Sequence, residues 1–311
     1  MRLWCIAVNA AIDKTYVVPG FRASAEYRLG RAVAVAGGKP LNVAKTARLL
    51  GVANVVCTGF VGGRTGAWIR RDLADRGIAT DFVEVPGESR ENVLIADPTG
   101  ASETRLIEPG DAVTADAADR LVAHVSDRVS PGDLTVVAGS LRPGLVAALY
   151  GRLVSAARAA GARVFLDAEG DALRAGVAEK PELVAPNEEE FVEWTGCRTD
   201  ALRTLAGRAR EAGEGTTVVV KLGPRGALLI DDTRAWFAAA PAVRALSTVG
   251  SGDALLGGYV AAIANGETPP HALALGVAAG AANTLTPGPG VVDPPTVWGL
   301  RAQVVVRSVD D

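Results

Sequence analysis

Histidine is nearly missing: the 311 residues hold two, His124 and His271. The three cysteines, Cys5, Cys57 and Cys197, are widely spaced, with no CxxC pair and no Cys/His cluster, which argues against a zinc centre. So sparse and odd a count suits a reducing cytosol rather than a disulfide-built secreted fold. Aromatic residues are only 5% against 49% hydrophobic overall, so the interior must be built from Ala, Val and Leu. That is far from the composition of a disordered chain. No Lys/Arg block accompanies the net charge of −3, which argues against nucleic acid or an anionic membrane as partner. No uncharged apolar run reaches spanning length. The apolar stretch between Met1 and Asp13 is too short for a signal peptide. A soluble cytoplasmic protein with one large core and a small appendage is expected.

What is present alternates. Strand-like runs (Leu3 to Val8, Val55 to Phe60, Leu134 to Ala138, Val164 to Asp167, Val218 to Leu222, Ala227 to Ile230) are separated by helical patterns (Leu41 to Leu50, Trp68 to Arg76, Leu145 to Ala160, Ala254 to Ala264, Ala272 to Leu285). Such alternation predicts βαβ units: an α/β fold whose doubly wound, mostly parallel sheet carries helices on both faces. Two extended segments break the rhythm, 13–35 and 83–109. In the second, Val93 to Ala96, the turn Asp97-Pro98-Thr99-Gly100, and Ser102 to Ile107 read as a hairpin. Segments this long rarely stay structureless, so they are expected to form a small accessory sheet. The main domain is then 1–12, 36–82 and 110–311.

The most informative stretch is Thr248-Val249-Gly250-Ser251-Gly252-Asp253, running straight into an apolar helix. Helix N-termini expose unpaired N–H groups and a partial positive charge, and glycines let a ligand approach the backbone. Together they make a cradle for phosphate oxygens. Asp253, beside it, can accept the proton of an attacking hydroxyl. The plainer reading, a helix-capping Asp, would win for Gly-x-Gly-Asp alone. Three other stretches agree with the cradle. Gly37-Gly38-Lys39-Pro40-Leu41-Asn42 precedes a helix. Ser140 follows a strand, at the sheet edge where α/β folds bind ligands. Asn187-Glu188-Glu189-Glu190 offers acids for Mg²⁺ through water, or simply a helix cap.

In this order the motifs resemble the ribokinase-like (PfkB) carbohydrate kinase family, over nearly the whole chain. The resemblance implies a small β-sheet lid formed by 13–35 and 83–109, a homodimer through that lid, and ATP and Mg²⁺ as cofactors. Thr248 to Asp253 resembles the C-terminal signature, which implies Gly250, Ser251 and Gly252 as the anion hole and Asp253 as the base. Asn187 to Glu190 resembles the N-x-x-E element, which implies Glu190 as an Mg²⁺ partner through water. Lys221, Gly223 and Gly226 resemble the nucleotide-binding strand and turn, with Asn187, Thr248 and Asn283 flanking the nucleotide.

The branch acting on phosphorylated ketohexoses, giving 1,6-bisphosphates, is implied by Asn9-Ala10-Ala11-Ile12-Asp13 and Ser89-Arg90-Glu91-Asn92, which resemble N-P-A-x-D and T-R-x-N. Asp13, Gly38, Lys39, Asn42 and Ser140 are then expected on the sugar, and Arg90 and Arg105 on its phosphate. The plainer reading of either arginine is a solvated strand residue. Two departures bear on the substrate: Pro40 replaces a Gly, and Arg142 replaces the first Pro of S-G-S-L-P-P-G. The alternatives are a kinase of an unphosphorylated sugar or nucleoside, and a sugar or nucleotide sensor without catalysis.

Overall fold

The computed structural model describes residues 1–100 and 102–310. In chain order it holds β1 (Leu3–Ala7), β2 (Ala11–Val17), β3 (Val33–Gly37), α1 (Lys39–Leu49), β4 (Val55–Val61), α2 (Gly63–Asp75), β5 (Ala79–Thr80), β6 (Val83–Glu84), β7 (Arg90–Asp97) and β8 (Ser102–Ile107). There follow α3 (Ala115–Arg128), β9 (Leu134–Ala138), α4 (Ala148–Ala159), β10 (Arg163–Asp167), α5 (Gly170–Ala178), β11 (Leu183–Val184), α6 (Glu188–Thr195), α7 (Leu202–Gly213) and β12 (Thr217–Lys221). The chain ends with β13 (Gly226–Ile230), β14 (Ala235–Ala239), α8 (Ser251–Ala264), α9 (Pro269–Asn283), α10 (Pro294–Arg301) and β15 (Val306–Ser308).

The main sheet runs β15-β14-β13-β12-β11-β10-β9-β1-β4-β5, with β6 also paired to β4. It is parallel from β5 to β12 and antiparallel from β12 to β15. Alternate residues of β1 feed opposite faces. Leu3, Cys5 and Ala7 join the core under α1, α2, α8, α9 and α10, while Trp4 and Ile6 join the core under α3 to α7. Burial on both faces explains why the strands read as unbroken apolar runs. The chain leaves β1 for β4 on one side and returns to β9 on the other. The crevice above β1 and β9 is therefore a topological switch point, where such sheets bind ligands.

A separate four-stranded sheet, β3-β2-β7-β8, stands at that end. The hairpin read from 93–107 is β7–β8, antiparallel from Asn92↔Ile107 to Asp97↔Ser102. The division between the sheets differs by a few residues from the sequence boundaries. Ala11, Ile12, Ala36 and Gly37 lie in the small sheet, and Val83–Glu84 pairs in the main one. The short and amphipathic elements α3, α5, α7 and α10 are not legible as separate helices, whereas α6 starts at the cap read from Asn187. His124 departs from the surface position expected of it: it is largely buried on α3, its Nε2 3.3 Å from Asp81. Cys5 and Cys57 are buried neighbours across β1 and β4, as their apolar surroundings implied. Among the described residues, no helix is long and apolar enough to cross a membrane.

Candidate active site

α8 begins where the sequence places a phosphate cradle. Gly250 is its N-cap, with φ +79°, a left-handed conformation that favours glycine. A Cβ there would lie 2.5 Å from Cβ of Pro289, so the loop closes only around a glycine. Ser251, Gly252 and Asp253 form the first turn, and Asp253 is 8% exposed. A Cβ on Gly252 would come within 3.6 Å of the Lys221 Nζ, which places that ammonium beside the cradle.

Beneath the cradle lies a buried charge cluster. Asp167 ends β10 and is fully buried; its Oδ1 accepts from Lys39 Nζ at 2.9 Å and its Oδ2 from Lys221 Nζ at 2.5 Å. Lys39 also donates to Glu190 Oε1 at 2.9 Å. Burial works against the Asp167 charge, but Lys221 and Lys39 outweigh it and hold the carboxyl below its ordinary value. Burial likewise opposes the Lys39 ammonium, and Asp167 and Glu190 outweigh it, raising its pKa well above the usual lysine value. Two lysines thus balance two carboxylates, and Asp253 is the odd acid. Burial, with the nearby Asp167 charge, raises its pKa to about 6, against the pull of Lys39, Asn42 and Lys221. Asn42 Nδ2 donates to its Oδ2 at 2.8 Å.

Asn42 and Lys39 come from the first turn and a half of α1, whose N-cap is Gly38, φ +98°. Pro40 stands at the second helical position, where its missing N–H would have no intrahelical partner. The substitution therefore costs the helix nothing and removes one donor from its N-terminus. In the small sheet Asp13 faces Asn92, which donates to Asp13 Oδ1 at 2.8 Å. A cavity of ≈ 210 Å³ brings together Asp13, Gly38, Lys39, Asn42, Arg90, Arg105 and Ser140. All seven residues expected on the acceptor side line this one space.

The nucleotide-side residues are less uniform. Asn187 and Glu190 form a capping box: Asn187 Oδ1 accepts from the Glu190 N–H at 2.9 Å, and Glu190 Oε2 accepts from the Asn187 N–H at 2.8 Å. Both Glu190 oxygens are therefore occupied by protein donors. Among the described residues there is no group of three His, Cys, Asp or Glu suited to hold a metal. Asn283 is 1% exposed and committed at both ends: it donates to Val249 O and accepts from the Gly290 N–H, each at 2.8 Å. It braces the loop below the cradle, so its amide reaches a nucleotide only through that loop. Gly223 opens the exposed turn after β12, while Gly226 is required by the sheet, since a Cβ would meet Ala238 O at 1.9 Å. Thr248 and Ser247 are tied to the small sheet by Glu103, which also holds Arg105 at 2.9 Å. Thus Arg105 leans toward the cradle, its Nη2 3.5 Å from Thr248 Oγ1.

Sequence reasoning missed Asp167 and Glu103. A carboxylate ending a parallel strand was the available signal for Asp167. Glu103 gave none, because its partner Thr248 lies 145 residues away in the chain.

Residues 5–296 match the pfkB family carbohydrate kinases. The chain is 34% identical to the 1-phosphofructokinase of Rhodobacter capsulatus over 99% of its own length and 98% of that protein's. It is 31% identical to the ATP-dependent 6-phosphofructokinase isozyme 2 of Escherichia coli K12, over 93% and 94%. The structure of phosphofructokinase-2 from Escherichia coli in complex with substrates and products superimposes with a TM-score of 0.89 at 29% identity, covering 97% of this chain and 99% of that one. A glycine-capped helix start, a buried acid with a raised pKa and a polar cavity on a ribokinase-like sheet agree with these full-length matches, and the chain belongs to the pfkB family of carbohydrate kinases.

Proposed function

We propose that the protein transfers the γ-phosphoryl group of ATP to a free hydroxyl of a phosphorylated ketohexose: fructose 1-phosphate, fructose 6-phosphate or tagatose 6-phosphate. The product is a 1,6-bisphosphate. The observation that carries this reading is the single cavity holding Asp13, Asn42, Arg90 and Ser140, joined to Asp253 through the Asn42 amide. Carboxylate and amide suit sugar hydroxyls, and a guanidinium suits the phosphate already present. The phosphofructokinase names of the full-length relatives point the same way.

Asp253, ionised at neutral pH, takes the proton of the attacking hydroxyl. The N–H groups of Gly250 to Asp253 and the Lys221 ammonium stabilise the charge spread over the transferring phosphoryl. Lys221, Gly223, Gly226, Asn187 and Thr248 shape the nucleotide side, with Asn283 bracing the loop before α8 from behind. Mg²⁺, when bound, neutralises nucleotide phosphates. Glu190, both of whose oxygens accept protein donors, would face that ion only through water. The small sheet serves as a lid that excludes water, its Glu103 contact to Thr248 being one closing point.

The test is ADP release with Mg-ATP against fructose 1-phosphate, fructose 6-phosphate, tagatose 6-phosphate, fructose, ribose and adenosine. Turnover is expected on a phosphorylated ketohexose, at least ~100-fold above fructose in kcat/KM, the size of one well-formed charged contact. Preference for an unphosphorylated acceptor, or ligand binding with no turnover, would overturn the reading.

The lid also exposes apolar side chains on both faces, Leu106 on the face opposite Asp13, and Val17, Val33 and Ile107 on the Asp13 face, in a sheet whose edge strands are β3 and β8. We propose that two copies cover this surface in a homodimer. Sedimentation should give twice the 31.9 kDa chain mass, and Leu106→Glu should return it to one. A monomeric wild type at micromolar concentration would refute the dimer.

A further inference from the structure

Arg90 and Ser140 are shared by three adjoining cavities. The one described above leads toward Asp253. The outermost, ≈ 430 Å³, is lined among others by Asn9, Arg90, Glu108, Ser140, Arg142 and Pro143. Arg142 stands where the family loop S-G-S-L-P-P-G carries a proline, and it is 1% exposed. Its Nε donates to Asp111 O at 2.5 Å and its Nη2 to Glu88 O at 3.1 Å. These two carbonyls flank the points where the β7–β8 hairpin leaves and rejoins the main domain. The guanidinium is thereby held in one orientation.

Two features of this cavity call for an anion. Arg142 Nη1 and Arg90 Nε are both buried without a partner, and buried donors are rarely left so. Nor does a carboxylate hydrogen-bond to either guanidinium. The Arg90 Nη1 donates to the main-chain oxygen of Glu108 at 3.0 Å. Of the nearby carboxylates, Glu108 accepts from the Glu91 N–H and Asp111 from the Glu88 N–H, each at 2.9 Å, while Asp13, whose charge supports the Arg90 guanidinium, accepts from the Asn92 amide. Burial disfavours the Arg142 charge, Asp111 opposes that effect and Arg90 adds to it. Arg105, by contrast, is committed to Glu103 beside the cradle.

We infer that Arg142 is a specificity-determining residue that joins Arg90 and Ser140 in gripping the phosphate already on the acceptor, at the end of the groove remote from Asp253. The inference rests on the acceptor assignment made above. A dianionic phosphate offers oxygens to both unpartnered N–H groups and compensates two charges at once. An unphosphorylated sugar supplies neither, so Arg142 selects by charge rather than by shape.

The experiment titrates inorganic phosphate calorimetrically into wild type, Arg142→Gln and Arg142→Lys, without nucleotide or sugar. Wild type is expected to bind phosphate, and Arg142→Gln to bind it about tenfold or more weakly. In steady-state kinetics Arg142→Gln should raise KM for the phosphorylated acceptor by about the same factor. KM for Mg-ATP, and kcat/KM for fructose if measurable, should stay within about twofold. If Arg142 only staples Glu88 and Asp111, the unfolding midpoint falls and all substrates are affected alike, which overturns the inference. So does unchanged phosphate binding by folded Arg142→Gln. Should that variant not fold, Arg142→Lys decides. It keeps the charge but loses the fork, so a ratio of KM values for phosphorylated and unphosphorylated acceptors equal to wild type overturns the inference. Arg142-dependent phosphate binding without turnover of any sugar phosphate would leave the anion grip standing and remove the acceptor assignment.

Discussion

Asp253→Asn is expected to lower kcat by about 10²- to 10⁴-fold while making the protein more stable. Both effects come from one imbalance. Lys39 and Lys221 are already matched by Asp167 and Glu190, so Asp253 is a buried acid without a cation of its own. Its pKa in the folded protein, about 6, exceeds the ordinary 3.8. The folded state therefore holds this proton more tightly than the unfolded state. Stability falls as pH rises between those two values, and the cost is complete above about pH 6. Two pKa units correspond to about 3 kcal/mol. Asparagine cannot ionise and keeps an oxygen for the Asn42 amide, so at pH 7.5 the variant should gain about 2–3 kcal/mol. At pH 3.5 the gain should be gone. Chemical denaturation at the two pH values reads this directly; equal stability of wild type and variant at both would sink the argument. In the wild type, kcat/KM should drop about tenfold per unit below pH 6, because the protonated acid is no base.

Asp167→Ala should have the opposite effect on stability and the largest of any substitution considered. It strips the carboxylate that holds two buried ammoniums. Glu190 still pairs with Lys39, but Lys221 is left without a carboxylate. Removing one partner of a buried pair costs about 3–5 kcal/mol, because the remaining charge is uncompensated. Acid should not mimic the substitution near pH 4. The folded Asp167 pKa lies below its ordinary value, so its contribution is present above the unfolded pKa and is lost only as pH falls through the lower, folded one. A second consequence separates electrostatics from simple collapse of the site. Burial raises the Asp253 pKa most and the Asp167 charge adds to it, so without that charge the acid limb of any residual activity should move to lower pH. An unfolding midpoint within error of wild type, or an acid limb that stays in place, would contradict this account.

The alternation of apolar runs and helical patterns carried the fold class, because strands buried on both faces leave a nearly continuous Val/Leu signal. The Gly-rich stretch before α8 carried the cradle and the base, since a phosphate-binding turn needs small residues next to one another in the chain. The acceptor residues Asp13, Asn42 and Arg90 were also named from local motifs, and the structure assembles them in one cavity. Where sequence reasoning stopped short, the residue's setting depended on distant partners. Asn283 carries an amide that any nucleotide contact could use, yet Val249 and Gly290 take both its ends. Arg142 reads as a cation added beside the sugar-side loop, and only the structure shows its guanidinium buried against the main chain of Glu88 and Asp111.

The sequence by itself determined which chemistry is available here: one base, one cradle, and arginines for an anion. Hydrophobic period and turn chemistry act over a few neighbouring residues and can be read along a line. Only the tertiary structure decided the protonation of that base and the pairing of Lys39 with both Asp167 and Glu190. It also decided which arginine faces the outer cavity. Those outcomes depend on burial and on Coulomb interactions between groups more than 50 residues apart, and neither quantity exists before the chain has folded.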